Sequence, residues 1–343
     1  MEKNYRGEIQ MKIFITGLAG FLGSHLADRM IDLGHEVIGN DTLIGGYVDN
    51  VPIKAKLYVV DCCKVDEMAQ IMKGCDIVIH TAATAHEGLS VFSPSFITRN
   101  IFEASVATIS AAIQNKVKRF VYCTSMARYG DQNTPFTEDM KPRPVDPYGI
   151  AKVAGEEVLK ALGETHNMQW NIAVPHNIVG PRQRYDDPFR NVMSIMINRN
   201  LQGKPAIIYG DGLQTRCFSY VDDCISCLEK MALDPNLVHQ TINIGPDEGT
   251  ITVKEMSKMV AEECGFEGEP IHMPDRPREV KHASCSADKA RRLLNYETKT
   301  DLRTSIKETV NYIKEKGTKQ FDYSYPLEII SDKTPATWKD RLM

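Results

Sequence analysis

Six short hydrophobic runs recur between residues 12 and 174, and longer segments separate them. The runs read KIFITG, HEVIGND, KLYVVD, CDIVIHTAA, RFVYCTS and WNIAVP. The intervening segments 21–33 and 101–115 carry the periodicity of helices. Because strands that are apolar along their whole length need cover on both faces, this alternation predicts an α/β fold with a doubly wound parallel sheet.

The pattern changes after about residue 175. Pro and Gly become frequent there, in VPHNIVGPRQ, GKPAIIYGDG, NIGPDEG and MPDRPRE, and the strands become short. Helical patterns recur near 189–201, 222–233, 252–264, 287–294 and 303–316. The 343 residues favour two domains over one. We predict, in order, a disordered leader (1–10), the sheet domain (11–175), a smaller mixed α/β lobe from which the chain can cross back (176–316), and a C-terminal tail that wraps the surface (317–343).

The charge balance limits the class of partner. The 41 Lys and Arg residues against 45 Asp and Glu residues leave a net charge of −4, which provides no general attraction to nucleic acid or to anionic membranes. Any anionic ligand must therefore meet cations that are placed locally. The longest apolar runs fall far short of the roughly 18 residues that a membrane span requires, so we expect no membrane or nucleic-acid partner.

The cysteines indicate the compartment. There are nine of them, an odd number scattered along the chain, which is typical of free thiols in a reducing cytosol. The pairs Cys62–Cys63 and Cys224/Cys227 have no second pair or His cluster at zinc spacing, so we predict no metal site. Residues 1–10 lack the apolar segment of a signal peptide. We therefore expect a cytoplasmic protein.

A glycine-rich turn follows the first predicted strand. Gly17, Gly20 and Gly23 stand where the strand passes into a helix, so backbone can approach a pyrophosphate and the helix N-terminus can offer free N–H donors. Asp41 ends the second strand, where an acid accepts hydrogen bonds from ribose hydroxyls and repels a 2′-phosphate. The pattern therefore predicts NAD rather than NADP, the alternative being glycines that only let the helix pack closely. Asp61, at the end of the third strand, is either a contact to the adenine amino group or an exposed strand end.

Tyr148 and Lys152 are candidates for proton transfer. They stand four residues apart on a helix whose start is marked by Asp146 and Pro147, so both side chains share one helix face. A nearby ammonium favours the phenolate, which is what a general base near pH 7 needs. Ser125 ends the strand RFVYCTS, at the sheet edge where ligands bind, and can hydrogen-bond the same substrate oxygen. We predict that Ser125, Tyr148 and Lys152 are catalytic.

These features together resemble the extended short-chain dehydrogenases/reductases. The spacing GxxGxxG, the Ser, and the YxxxK pair occur in the order and spacing of that superfamily. The segments TSMARYG, DPYGIAK, HNIVGPRQ, IIYGDGLQTRCFSYVDD and RPREVKHASCSADKARRLLNY resemble motifs of nucleotide-sugar 4-epimerases and their dehydratase and decarboxylase relatives, from Met11 to about Lys316. The resemblance implies a Rossmann-type sheet with a smaller substrate lobe, NAD as cofactor, a UDP-linked sugar as substrate, and a homodimer.

The resemblance also implies particular contacts. Asn177 is expected to contact the diphosphate, Arg216 and Arg276 to clamp the phosphates, and Asn191 to lie near the uridine. Guanidinium groups suit this role because they bind phosphate oxygens bidentately. The full cofactor set is Gly17, Gly20, Phe21, Leu22, Gly23, Asp41, Asp61, Cys62, Ala82, Ala83, Asn100, Tyr148, Lys152 and Pro175. The full substrate set is Ser125, Met126, Asn177, Asn191, Val192, Tyr209, Arg216, Arg276 and Ala283.

Departures from the family pattern narrow the chemistry. Relatives that dehydrate the hexose carry Asp-Glu after the strand-end Ser or Thr, whereas this chain has Met126 and Ala127, which cannot transfer protons. The Glu usual in decarboxylating relatives is also missing. The interpretation is a nucleotide-sugar 4-epimerase, an isomerase that oxidises and reduces the sugar through NAD. The alternatives are a UDP-glucuronate decarboxylase, a 4-keto-sugar reductase, and a dinucleotide-binding sensor without catalysis. Arg278 and Val174-Pro175 also differ from the family pattern and leave the sugar open.

Ala283 occupies the position at which the family limits the room beside carbon 2 of the sugar. The resemblance implies that a bulky Tyr there restricts epimerases to glucose and galactose, and that a small residue admits N-acetylhexosamines. Ala283 therefore predicts an open site that accepts both classes. The alternative is that Ala283 is a core alanine without contact to the sugar.

Overall fold

The structure is a computed structural model that describes residues 10–343. Its strands are β1 (Lys12–Thr16), β2 (Glu36–Asp41), β3 (Lys56–Val59), β4 (Ile77–His80), β5 (Arg119–Cys123), β6 (Gln169–Pro175), β7 (Ile178–Val179), β8 (Ile207–Tyr209), β9 (Thr215–Arg216), β10 (Ser219–Tyr220), β11 (Gln240–Ile244), β12 (Ile251–Thr252), β13 (Ile271–Met273) and β14 (His282–Ala283). Apart from Gln10, the predicted leader lies outside the described residues.

The helices alternate with these strands in the first half of the chain. They are α1 (Phe21–Asp32), α2 (Val65–Ile71), α3 (Glu87–Ser90), α4 (Pro94–Thr98), α5 (Ala104–Gln114), α6 (Pro147–His166), α7 (Val192–Leu201), α8 (Val221–Leu233), α9 (Val253–Cys264), α10 (Asp288–Leu294), α11 (Leu302–Lys316) and α12 (Ala336–Lys339). A π-helical stretch, Arg99–Glu103, joins α4 to α5.

Seven parallel strands form the central sheet, in the order β11-β6-β5-β4-β1-β2-β3. Successive side chains of a strand point to opposite faces, and β1 shows the result. Ile13 and Ile15 pack in one core cluster with α1 and α8, while Phe14 packs in another with α2, α5 and α6. Helices thus cover both faces, which confirms the predicted doubly wound parallel sheet.

The second half of the chain contributes to both parts of the molecule. Helix α8 packs on α1, and β11 pairs with β6 to extend the central sheet. Helices α7, α9 and α11 form a separate core cluster. Around them lie the short parallel pairs β7–β10 and β8–β13, and a three-stranded sheet with β9 between β12 and β14. The segment 176–316 is therefore divided between the sheet and a smaller lobe.

The sequence predicted a C-terminal tail that wraps the surface. The structure shows that two aromatic side chains of this tail are also buried. Trp338 is 2% exposed and Tyr325 is 5% exposed, and both pack with Phe189 in one cluster. The Trp338 indole N–H donates to the Pro188 carbonyl at 3.1 Å, and the Tyr325 hydroxyl donates to the Ile44 carbonyl at 3.0 Å. Isolated aromatic residues in a polar segment thus anchor it, because burying a large ring is strongly favourable.

Two further observations concern the cysteines and the helices. All nine cysteines, which lie within the described residues, are free thiols. Within residues 10–343, no helix combines the length and the apolar character that a bilayer crossing demands.

Candidate active site

The turn between β1 and α1 requires glycine. Gly17 has φ +68°, and a Cβ there would lie 2.9 Å from the Cα of Ala82. A Cβ at Gly23 would lie 2.2 Å from the carbonyl oxygen of Gly17. Helix α1 begins at Phe21 without a side-chain cap, so its first N–H groups are available to a ligand. Bare backbone and free N–H donors at one cavity wall fit a diphosphate.

Asp41 connects the end of β2 to this turn. Its carboxylate accepts hydrogen bonds from the N–H groups of Ala19 at 3.0 Å and Leu43 at 2.8 Å. Burial raises the pKa of Asp41, and these N–H groups act against that shift. The carboxylate lines the same cavity as Gly17 and Gly20. The turn and this acid together fit the diphosphate and ribose of NAD.

Asp61 lines the cavity beyond Asp41 and is already engaged. One carboxylate oxygen accepts from the Arg99 guanidinium at 2.7 Å, and the other accepts from the Cys63 N–H at 2.9 Å. Partial burial acts to raise the pKa of Asp61, but these partners hold it below its usual value. An adenine amino group would therefore share this carboxylate with Arg99.

One cavity of about 480 Å³ brings most of the predicted residues together. It runs from the glycine turn, past the carboxyl ends of β2 to β6, to the smaller lobe. The predicted residues that line it are Gly17, Gly20, Phe21, Leu22, Gly23, Asp41, Asp61, Cys62, Ala82, Ala83, Asn100, Ser125, Tyr148, Lys152, Pro175, Asn177, Asn191, Val192, Tyr209, Arg216 and Arg276. Cofactor and substrate residues thus share one space.

Helix α6 carries the proposed base. The Asp146 carboxylate caps it by accepting from the Gly149 N–H at 2.9 Å, and Pro147 occupies the first turn. Tyr148 and Lys152 then follow one turn apart on the buried face. The Lys152 ammonium donates to the Cys123 carbonyl at 2.8 Å and lies 6.0 Å from the centre of the Tyr148 ring. The end of β5 therefore fixes the lysine beside the tyrosine.

Burial shifts the proton affinity of both groups. It raises the pKa of Tyr148, and a hydrogen bond with the Ser125 hydroxyl acts in the opposite direction. Burial lowers the pKa of Lys152 to about 8, against the effects of Cys123 and Glu156. The hydroxyl of Ser125 also accepts from the Ala127 N–H at 3.2 Å. Ser125 and Tyr148 thus form a hydrogen-bonded pair at the sheet edge, and the Lys152 ammonium lies beside them.

Two arginines lie at the other end of the cavity. Arg276 donates to Glu279 at 2.8 Å and stacks 4.7 Å from the centre of the Tyr209 ring. Arg216 donates to three backbone carbonyls, including that of Val280 at 2.7 Å. Burial acts to raise the pKa of Glu279, but Arg276 and Arg216 hold it below its usual value. Glu279 thus lies between two guanidinium groups that line the cavity and can meet phosphate groups.

The remaining predicted substrate residues fall into two groups. Asn177 and Asn191 line the cavity, and both have positive φ, a conformation that asparagine tolerates better than most residues. Met126 and Ala283 do not line it. Met126 packs against the core cluster on the α6 face of the sheet, and Ala283 belongs to that cluster with 6% exposure, in register with Arg216 of β9.

Ala283→Tyr is expected to lower the free energy of unfolding by about 1–3 kcal/mol, because a ring in a filled core forces its neighbours to shift. Urea unfolding measures this, with Lys281→Tyr as the control, since Lys281 is exposed two residues away. Unchanged stability together with selective loss of activity on N-acetylated sugars would contradict this expectation. That outcome would instead support an open site at Ala283.

Several residues that line the cavity were not predicted from the sequence. Glu87, Arg190 and Gln214 line the cavity, as do Tyr325 and Met343 of the tail. Single charged or aromatic residues in loops carry no periodicity, so the sequence offered no signal for most of them. The aromatic residues of the polar tail were the one available indication.

A buried ion pair next to Lys152 on α6 was also not predicted from the sequence. The Arg128 guanidinium donates to Glu156 at 2.9 Å, and neither side chain is more than 4% exposed. The Thr124 hydroxyl donates to the same carboxylate at 2.5 Å. Glu156 stands one turn beyond Lys152 on α6, so this pair joins the end of β5 to the catalytic helix.

Comparison with known proteins agrees with this geometry. A sequence model of the NAD dependent epimerase/dehydratase family matches residues 13–245. The chain belongs to this family. The family assignment confirms the resemblance and, with it, NAD as the cofactor. A putative UDP-glucose 4-epimerase of Methanocaldococcus jannaschii is 33% identical over 308 residues, which cover 88% of this chain and 98% of that protein.

Solved structures of family members have the same fold. UDP-glucose 4-epimerase of Thermotoga maritima, in complex with UDP-glucose, superposes with a TM-score of 0.83 at 31% identity, covering 89% of this chain and 99% of that one. UDP-glucuronic acid 4-epimerase of Bacillus cereus, in complex with UDP-glucuronic acid and NAD, has a TM-score of 0.83 at 26% identity, covering 90% and 100%. These family members thus differ in their sugar.

Proposed function

We propose that the protein is a nucleotide-sugar 4-epimerase that acts on a UDP-linked hexose. The observation that carries this proposal is the single cavity that holds the glycine turn, the group Ser125, Tyr148 and Lys152, and the pair Arg216 and Arg276. The glycine turn lines one end of this cavity and the two arginines line the other, with the proposed base between them. The relatives named above act on UDP-sugars, and this supports the choice of nucleotide.

The first half of the reaction is a proton transfer to Tyr148. The phenolate removes the proton of the 4-hydroxyl as the hydride leaves carbon 4, and the Ser125 hydroxyl hydrogen-bonds the same sugar oxygen. NAD, when bound, supplies the hydride acceptor and a positive ring that favours the phenolate. Lys152 adds a second cation, which its hydrogen bond to the Cys123 carbonyl holds in place.

The second half reverses these transfers on the other face of the sugar. Arg216 and Arg276 hold the diphosphate, which leaves the 4-keto sugar free to turn over beside Tyr148. Tyr148 then returns its proton to the oxygen as carbon 4 regains the hydride. Protons and electrons balance, so nothing is consumed.

Dehydration and a sensor without catalysis find less support in the site. Dehydration needs an acid and a base beside Thr124-Ser125, where the chain has Met126 and Ala127. A sensor without catalysis would not need Ser125, Tyr148 and Lys152 side by side in one cavity. The other two alternatives differ from an epimerase in what they consume or release. A reductase would consume NADH, and a decarboxylase would release carbon dioxide from a uronate.

Incubation with a panel of UDP-sugars, followed by chromatographic separation of the products, tests the function. We expect interconversion of UDP-glucose and UDP-galactose without net change in NADH absorbance. A 4-keto-6-deoxy product, net NADH consumption or carbon dioxide release would each replace the epimerase assignment with the corresponding alternative. No turnover of any sugar nucleotide would support the sensor.

We further propose that the protein is a cytoplasmic homodimer. The nine free cysteines support a reducing compartment, and the family resemblance supports the dimer. Sedimentation of the purified protein tests the second point. A species of 38.5 kDa, the mass of one chain, would refute it.

Asp41→Ser is expected to reduce the preference for NAD over NADP at least about tenfold, because it removes the charge that repels a 2′-phosphate. Fluorescence titration of cofactor-stripped protein with each dinucleotide measures the ratio of dissociation constants. Asp32→Ser, which removes an exposed carboxylate at the end of α1, is the control. Equal binding of both dinucleotides by the unsubstituted protein would show that Asp41 does not have this role.

A further inference from the structure

Glu87 is a carboxylate inside the substrate part of the cavity. It is the first residue of α3 and lines the cavity together with Ser125, Tyr148, Arg216 and Arg276. The residue is more than a third exposed, and the space it faces is the interior of the cavity. The next residue lies tight against the phosphate end, since a Cβ at Gly88 would be 3.4 Å from the Arg276 guanidinium. Glu87 therefore stands between the base and the arginines, where the sugar must lie.

The other carboxylates that line the cavity have partners. Asp41 accepts from two backbone N–H groups, Asp61 from Arg99, Asp146 from the Gly149 N–H, and Glu279 from Arg276. For Glu87, the described part of the chain provides neither a hydrogen bond nor an ion pair within 4.0 Å to its carboxylate. A charged group without a partner in a ligand cavity is available to the ligand.

Charged groups on several elements act on Glu87. They are Asp146, which caps α6, Arg216 on β9, and Arg276 and Glu279 in the segment between β13 and β14. Glu87 in turn raises the pKa of Tyr148. Enclosure by the cavity walls raises the pKa of Glu87 to about 7, Asp146 and Glu279 add to this, and the two arginines oppose it. Glu87 thus gains its charge as the pH rises through neutrality.

We propose that Glu87 determines sugar specificity by accepting a hydrogen bond from a hydroxyl of a neutral hexose and by repelling a sugar that carries a carboxylate. The proposal rests on the proposed function and deepens it. Two carboxylates in one enclosed site repel each other strongly, because little water screens them. A uronate substrate, which both a UDP-glucuronate epimerase and a decarboxylase need, is therefore disfavoured.

The kinetic test compares UDP-glucose with UDP-glucuronate in the NAD-loaded enzyme. We expect kcat/KM at pH 8 to favour UDP-glucose at least about a hundredfold, and Glu87→Gln to reduce that ratio at least about tenfold. Glu164→Gln, which removes an exposed charge near the end of α6, should leave the ratio unchanged. The preference should grow from pH 6 to pH 8 in the unsubstituted enzyme and stay flat in Glu87→Gln.

Calorimetric titration of the NAD-loaded protein with UDP-glucose and with UDP-glucuronate separates this inference from the proposed function. If no UDP-sugar of the panel is turned over but Glu87→Gln abolishes a binding preference for UDP-glucose, the inference holds and the epimerase function fails. If UDP-glucose is epimerised and Glu87→Gln leaves both the ratio and its pH dependence unchanged, the function holds and the inference fails. Equal kcat/KM for UDP-glucose and UDP-glucuronate in the unsubstituted enzyme also overturns the inference.

Discussion

Tyr148→Phe lowers the turnover number at least about a hundredfold, by our expectation, while NAD stays bound. General-base catalysis contributes typically 10²–10⁴ in rate, and the substitution removes only the hydroxyl that takes the proton. The ring remains, so the packing of α6 against Leu89 and Phe189 in the same cluster is kept. Steady-state kinetics with UDP-glucose and absorbance of bound cofactor measure the two effects.

Tyr122→Phe is the matched control. Tyr122 is also fully buried, and the Lys152 ammonium lies 5.2 Å from the centre of its ring, yet Tyr122 does not line the cavity. Turnover should change by no more than a few fold. Lys152→Ala should resemble Tyr148→Phe, because it removes the cation that favours the phenolate. Near-normal turnover in Tyr148→Phe would exclude Tyr148 from the mechanism.

Glu156→Ala should have the largest effect on stability, a loss of about 3–5 kcal/mol in the free energy of unfolding. The substitution leaves the Arg128 guanidinium buried without its counter-ion and deprives the Thr124 hydroxyl of its acceptor. Burial raises the pKa of Glu156, and Arg128 and the Thr124 hydroxyl oppose this shift without reversing it. Urea unfolding followed by circular dichroism gives the value.

Glu157→Ala provides the comparison for that loss. Glu157 is the next residue of α6, and its ion pair with Lys160 at 2.7 Å lies on the exposed face. Exposed pairs contribute little, so the unfolding midpoint should hardly move. Equal midpoints for Glu156→Ala and Glu157→Ala would show that the buried pair does not stabilise the fold.

Residues whose arrangement depends on nearby positions in the chain could be predicted from the sequence. Gly17, Gly20 and Gly23 form a turn between adjacent elements, and Tyr148 and Lys152 share a helix face by spacing alone. Ser125 followed from its place at a strand end. The central strands β1 to β6 and the helices α7 to α11 were likewise predicted within a few residues, because periodic burial leaves a pattern in the sequence.

The sequence by itself determined the sheet and the glycine turn and brought Ser125, Tyr148 and Lys152 forward as candidates, because each depends on residues that lie within one or two successive elements. Only the tertiary structure decided how distant segments meet. It joined β11 to β6, placed Trp338 of the tail against Phe189, buried Arg128 with Glu156, and placed Glu87 in the cavity. The physical reason is that such contacts depend on packing between segments far apart in the chain, which no local periodicity records.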